Sequence, residues 1–277
     1  MAYEDLLLEK KEHVALVTLN APQKLNAIGR AMSLSIAQVA EDLAHDDDVR
    51  VVVVTGAGRG FCSGADVSMM APRPASSSTP PPRSTPPAGL GSWRFNSMQF
   101  MGYPHADAFP KLNKPVIAAI NGACVGGGLS LALSCDIRVA ADTSRFGVSQ
   151  VARALVPDYG MTMYLPVVAG ISNAFKLMYT AEIIGAAEAK EMGIISQIVP
   201  LDKLMETVMQ LANRIAEQPP YSVELTKLMV WRGMLDQLSR QLDLETWASR
   251  ICLATEDHQA SVKAFLTKEP MPKFKGR

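Results

Sequence analysis

The chain has 277 residues, with 27 basic and 27 acidic side chains, 48% hydrophobic content and 19% charged content. That length can bury a full core, as one large domain or a domain with a smaller helical piece, and the balanced charge excludes recruitment of nucleic acid or an anionic membrane by a global field. So few charges leave extra apolar surface, which predicts burial in an oligomer.

The opening residues are charged and lack a long apolar run, so they read as neither signal peptide nor membrane anchor. No later run reaches transmembrane length, and a soluble cytoplasmic protein is expected. Asp5–Glu9 and His13–Leu19 read as strands around the charged turn Lys10–Glu12, a hairpin start. Ala31–Leu43 has helical spacing and runs into the acidic Asp46–Asp48. Val49–Thr55, nearly pure valine, is the pattern of a strand buried on both faces. Ala71–Gly91, dominated by Pro, Ser and Thr, predicts a flexible flap or disordered insert, and Gly91–Phe109 is expected to resume helix. Val116–Ile120 repeats the buried-strand pattern, Gly126–Leu133 reads as a helix entered through glycines, and Asp136–Ala140 as another strand. Alternating strands and helices imply α/β architecture with parallel pairing. After Pro200 everything reads as helix: Asp202–Gln218, Tyr221–Trp231, Leu235–Leu253 and Glu256–Leu266, with Asp202 and Glu256 at helix starts. The expected organisation is an α/β core over residues 1–200 and a helical region over 201–277 that packs on another subunit.

Two glycine-rich turns follow buried strands: Thr55-Gly-Ala-Gly-Arg-Gly-Phe-Cys-Ser-Gly-Ala-Asp66 and Asn121-Gly-Ala-Cys-Val-Gly-Gly-Gly128. Phe61 stands where a dinucleotide fingerprint needs glycine, and no Gly-Lys-Ser/Thr follows for a P-loop. Gly60-Phe-Cys62-Ser-Gly64 imitates a nucleophile elbow, but a loop separates it from its strand and no histidine signal supports it. His13, His45, His105 and His258 read as surface or core residues, and no histidine–carboxylate spacing implies a metal. Cys62, Cys124, Cys135 and Cys252 lack CxxC spacing and read as reduced thiols. What remains is the backbone: glycines permit unusual dihedrals and close ligand approach, and Gly127 at a helix entrance would offer a free N–H to an oxygen gaining negative charge.

Four segments, in order, carry a resemblance: Asn20-Ala-Pro-Gln-Lys-Leu-Asn-Ala-Ile28, Gly60-Phe-Cys-Ser-Gly-Ala-Asp66, Lys114-Pro-Val-Ile-Ala-Ala-Ile-Asn-Gly-Ala-Cys-Val-Gly-Gly-Gly128 and Ser134-Cys-Asp-Ile-Arg-Val-Ala140. The chain resembles the crotonase (enoyl-CoA hydratase/isomerase) superfamily over nearly its whole length apart from Ala71–Gly91. The resemblance implies a spiral of β-β-α repeats with a C-terminal helical oligomerisation region, assembled as a trimer or a hexamer. It implies an acyl-CoA thioester as substrate, with coenzyme A as part of that substrate and no separate cofactor. It also implies an oxyanion hole from the N–H groups of Ala65 and Gly127. Lys24, Leu25, Phe265 and Lys268 match positions that touch CoA, and Ala27, Gly64, Asp66 and Gly126 lie in the same matching motifs. For the lysines, a solvated surface charge is the competing reading.

Side chains bear on the reaction. The resembling hydratases place glutamates where this chain has Ser130 and Gln150, and neither can act as a general base. Asp158, in Val156-Pro-Asp-Tyr-Gly160, stands where the resembling enoyl-CoA isomerases carry an acid. One base that moves a proton from carbon two to carbon four suffices for a double-bond shift. Val156, Tyr159, Met161 and Met163 around it are apolar, which predicts a raised pKa. A structural role competes, with Asp158 capping a helix over Tyr159–Val168. Met69, Met70, Met98 and Met101 could line an adaptable acyl pocket or fill core. Enoyl-CoA isomerisation with Asp158 as acid/base is the first reading. The alternatives are a hydratase or other lyase of the same superfamily, a dehalogenase with Asp158 as nucleophile, and a non-catalytic acyl-CoA-binding protein.

Overall fold

The computed structural model describes residues 3–67 and 104–276. The expected insert at Ala71–Gly91, most of the helix expected over Gly91–Phe109, and Met69, Met70, Met98 and Met101 lie outside the described residues.

The chain opens with a hairpin of β1 (Leu6–Lys11) and β2 (Val14–Leu19). The turn falls at Glu12 and His13, later than expected, because Lys10 and Lys11 pair with Ala15 and Val14 and Glu12 takes the left-handed φ of 54°. Helix α1 (Arg30–Ala44) leads to β3 (Val51–Gly56) and β4 (Gly60–Cys62). A short α2 (Ala108–Lys111) precedes β5 (Val116–Ile120), β6 (Ala123–Val125) and α3 (Gly127–Leu133). Strands β7 (Ile137–Ala141) and β8 (Arg145–Gly147) follow, then α4 (Met161–Ala169), α5 (Ile171–Thr180), β9 (Ile183–Gly185), α6 (Ala186–Glu191) and β10 (Gln197–Val199). Three helices close the chain: α7 (Leu204–Ala216), α8 (Pro220–Leu253) and α9 (Glu256–Thr267).

Two sheets form, one ordered β1-β2-β3-β5-β7-β10 and the other β4-β6-β8-β9. Pairing is parallel except at β1–β2 and β8–β9. Strand β3 shows why a valine run suits the centre. Val52 and Val54 enter the main core with Ile36, Ala118 and Leu129, whereas Val51 and Val53 meet Ile117, Val208 and Ala212 on the opposite face. Both faces are covered, which favours apolar side chains; each buried valine contributes about 1.5–3 kcal/mol, and the strand's one polar residue, Thr55, donates its hydroxyl to the Ala119 carbonyl at 2.9 Å.

Helix α8 corrects one expectation. The sequence spacing predicts two helices, Tyr221–Trp231 and Leu235–Leu253, broken near Gly233, yet Pro220–Leu253 is one continuous helix of 34 residues. A glycine inside a helix costs only about 1 kcal/mol relative to alanine, and buried Trp231 and Leu238 anchor the helix on either side of it. Helix α4 also starts later than expected, because Tyr159 (φ 60°) and Gly160 (φ 82°) take left-handed conformations that a helix cannot include. Among the described residues no helix is long and apolar enough to cross a membrane.

Candidate active site

The two glycine turns sit side by side because their strands do. β3 pairs in parallel with β5, and β4 with β6, aligning Gly60 with Ala123 and Cys62 with Cys124. Close approach is enforced at Gly128, where a Cβ would stand 2.2 Å from the Cys62 carbonyl. Buried Asn26 pins the first turn, donating from Nδ2 to the carbonyls of Ala57 (2.9 Å) and Gly60 (2.8 Å) and accepting the Ala21 amide at 2.9 Å. Asn121 Nδ2 likewise donates to the Gly56 and Gly58 carbonyls, at 2.8 and 3.0 Å.

This arrangement decides where two amides point. Ile28 forms a parallel bridge with Ala65, donating to Gly64 O and accepting from Asp66 N. Ile28 uses both of its groups, so the Ala65 N–H faces the other way, toward the second turn. Gly127 is the first residue of α3, where an N–H has no partner within the helix. A Cβ on Gly127 would lie 3.6 Å from the Ala65 nitrogen, and one on Gly64 would lie 3.4 Å from the Gly127 nitrogen. With about 2.5 Å between a residue's own N and Cβ, the two amides are at most about 6 Å apart. Two N–H···O bonds of about 2.9 Å span at most about 5.8 Å, so one oxygen can be shared when the amides lie inside that distance.

The cavity in front of these amides has a volume of about 270 Å³ and is lined by Gly64, Ala65, Gly126, Gly127, Gln150 and Asp158, together with Ser63, Val67, Val125, Ser149, Arg153, Leu155, Tyr159, Ile183 and Phe265. Asp158 is 7% exposed. Burial, the larger cause, and the nearby charge of Glu245 lift its carboxyl to about 7, against a hydrogen bond from Gln150 Nε2 at 3.2 Å that favours the ionised form. Both positions at which the resembling hydratases place glutamates therefore contact Asp158. Gln150 holds its carboxylate, and Ser130 Oγ donates to its backbone carbonyl at 3.0 Å. The Gln150 Oε1 is buried without a partner among the described residues.

Asp158 does not cap α4 with its side chain. Glu245 of α8 does so from 85 residues away, accepting the Gly160 and Thr162 amides at 2.7 and 2.9 Å and the Thr162 hydroxyl. With the cap supplied elsewhere, the Asp158 carboxyl is left on the cavity wall. Tyr159 completes that wall, its ring 2.9 Å from the place a Gly127 Cβ would occupy, with the ring of buried His105 4.9 Å away, centroid to centroid. Burial pulls His105 down to about 4, so it is neutral at ordinary pH.

Some expected residues stand apart from the cavity lining. Lys24 pairs with Asp66 at 2.8 Å. Leu25 takes the left-handed φ of 50° after a 3₁₀ turn, Ala27 follows it, and Lys268 ends α9. Phe265 does reach the cavity, because α9 docks on the turn Val151–Arg153 through His258 Nδ1 to Arg153 O (2.8 Å) and Ser261 Oγ to Ala152 O (3.2 Å). Cys62 is buried with its thiol pushed up to about 12, which removes the nucleophile-elbow reading. All four cysteines are free thiols, and among the described residues no group of His, Cys, Asp and Glu could hold a metal ion.

The enoyl-CoA hydratase/isomerase family pattern matches residues 9–83 and 94–277. The chain belongs to the enoyl-CoA hydratase/isomerase family. It is a crotonase-type enzyme. It is 33% identical over 269 residues to a crotonyl-CoA hydratase of Syntrophomonas wolfei, covering 97% of each chain. It is 34% identical over 274 residues to the 1,2-epoxyphenylacetyl-CoA isomerase of Escherichia coli, covering 99% of each. The crystal structure of an enoyl-CoA hydratase/isomerase from Pseudoalteromonas atlantica superposes with a TM-score of 0.83 at 26% identity, over 98% of this chain and all of that one. Asn26 and Asn121 lay inside the matching motifs and were within reach, whereas nothing local distinguished Glu245 from other helix carboxylates.

Proposed function

We propose that the protein is an acyl-CoA enzyme that shifts a double bond, with Asp158 as the acid/base and the Ala65 and Gly127 amides holding the thioester oxygen. The observation that carries this reading is that Asp158, lifted to about 7, is the only carboxylate lining the cavity among the described residues. Near neutral pH such a group is present in both protonation states, as a base that must also return its proton requires. Ionised Asp158 removes a proton from carbon two of a 3-enoyl thioester. The electron pair spreads onto the adjoining thioester carbonyl oxygen, which two N–H donors stabilise, and through the double bond to carbon four, where protonated Asp158 then delivers the same proton. The Escherichia coli relative is likewise named an isomerase of an acyl-CoA, there of an epoxide.

A second reading, 2-enoyl-CoA hydration, is favoured by the hydratase name of the Syntrophomonas wolfei relative. Ser130 and Gln150 supply no carboxylate to activate water, which ranks it below isomerisation. Direct assay decides between them: conversion of 3-enoyl-CoA to 2-enoyl-CoA well above any rate of 2-enoyl-CoA hydration is expected, and hydration as the faster reaction would reverse the ranking. For assembly we propose a trimer or hexamer. Tyr221, Leu225, Met229 and Val230 give α8 an exposed apolar stretch that a second copy would cover, and light scattering on the purified protein reads this directly.

A further inference from the structure

Arg153 is the one cation lining the cavity among the described residues, and enolate chemistry does not need it. It sits on the short turn Val151–Arg153, one wall away from Asp158. Its guanidinium carbon lies over the Phe265 ring, 4.2 Å from the centroid, so the cation rests against an aromatic surface donated by α9. Its side-chain hydrogen bond is a single long one, Nη1 to the Ala152 carbonyl at 3.4 Å. Among the described residues no carboxylate forms an ion pair with it. Burial lowers its pKa, the mark of a charge that has lost water without gaining a counter-ion. A stacked, half-buried guanidinium with most of its five donors unused is organised for a planar or tetrahedral oxyanion.

We infer that Arg153, stacked on Phe265, is an anion-recognition site of this cavity and binds an oxyanion carried by the acyl-CoA ligand. The inference rests on the acyl-CoA reading above. The oxyanion has two possible sources with one chemistry: the phosphates of the CoA moiety, or a carboxylate at the far end of the acyl chain. In either case Arg153 sets which thioesters are held, while the proton transfer is left to Asp158.

The test measures dissociation constants by titration calorimetry for the wild type, Arg153→Gln and Arg153→Lys with three unreactive thioesters: butyryl-CoA, S-butyryl-pantetheine, which lacks every phosphate, and glutaryl-CoA, which adds a terminal carboxylate. If the phosphates are the partner, Arg153→Gln weakens both CoA esters at least tenfold and leaves butyryl-pantetheine unchanged. If the acyl carboxylate is the partner, only glutaryl-CoA is weakened at least tenfold. In both cases Arg153→Lys, which keeps the charge but not the fork, falls between wild type and Arg153→Gln. Equal affinities of wild type and Arg153→Gln for all three ligands overturn the inference. A matching loss on all three, butyryl-pantetheine included, also overturns it, because the residue then acts only through packing against Phe265. Failure of the wild type to bind any of the three removes the acyl-CoA reading itself and the inference with it.

Discussion

Replacing Asp158 with asparagine should stabilise the protein at alkaline pH while removing its activity. The native fold holds this carboxyl at about 7 against an ordinary value of 3.8, so the folded chain binds the proton more tightly than the unfolded chain does. Between about pH 4 and 7 the native state keeps a proton that the unfolded state has released, and stability therefore falls as pH rises through that window. At 1.36 kcal/mol per pH unit the loss reaches at most about 4 kcal/mol and is complete above pH 7. Asparagine has no charge to bury, keeps the shape, and still offers an oxygen to Gln150 Nε2. Urea denaturation at one protein concentration should thus find Asp158→Asn matched with wild type at pH 4 and up to about 4 kcal/mol more stable at pH 8. Turnover of 3-enoyl-CoA should fall at least a hundredfold with binding of the ester retained, and the wild-type kcat/KM should decline below about pH 7 as the base is protonated. A variant no more stable than wild type at pH 8 would refute the argument that a charge is being buried, and near-normal turnover would remove Asp158 as the base.

Three further outcomes follow from the geometry. Gly127→Ala brings a methyl to 2.9 Å from the Tyr159 ring; one of the two must move, and the loss expected for a misplaced oxyanion donor is about a hundred- to a thousandfold in kcat. Gln150→Glu sets a second carboxyl where the amide now lies 3.2 Å from Asp158; the like charge should move the acid limb of the kcat/KM profile upward by at least about one pH unit, read as the pair's shared titration. Glu245→Gln leaves one acceptor oxygen for the Gly160 and Thr162 donors; a destabilisation of about 1–3 kcal/mol in urea titration is expected.

The parts of this fold legible in the sequence are those where burial alone chose the residues. Val51–Gly56 and Val116–Ile120 announce themselves because both faces of the sheet are covered, and the glycine turns do so because another backbone lies against them. Asp158 was legible as a choice between two roles, helix cap and cavity carboxyl. Local sequence could not decide between them, since the deciding residue, Glu245, lies 85 positions from Gly160, whose amide it caps. The continuity of α8 through Gly233 was hidden for a related reason: propensity weighs a glycine by itself, while the packing of Trp231 and Leu238 on either side outweighs it. Lys24 reads equally well as a ligand for CoA and as a surface charge. In the folded chain its partner is Asp66, so the motif match and the cavity wall are separate facts at this position.

The composition changes near residue 200, yet the cavity is built from both sides of that boundary. Helix α8 is fastened to the sheet where Lys227 Nζ reaches Asp136 (3.0 Å) and the Phe109 and Lys114 carbonyls, and where Trp231 Nε1 donates to the same aspartate at 2.6 Å. Asp136 in turn accepts the Val116 amide, the first of β5. Glu245 lies about 27 Å beyond Lys227 along the helix axis, where it caps α4 and fixes the loop that carries Asp158. A rigid helix anchored at both points transmits position, so the Asp158 carboxyl is located relative to the glycine turns partly through the tail. Phe265 of α9 continues the same arrangement by closing the cavity over Arg153. The helical region therefore takes part in building the cavity. Any contact between copies that shifts α8 would move Asp158 against the two amides.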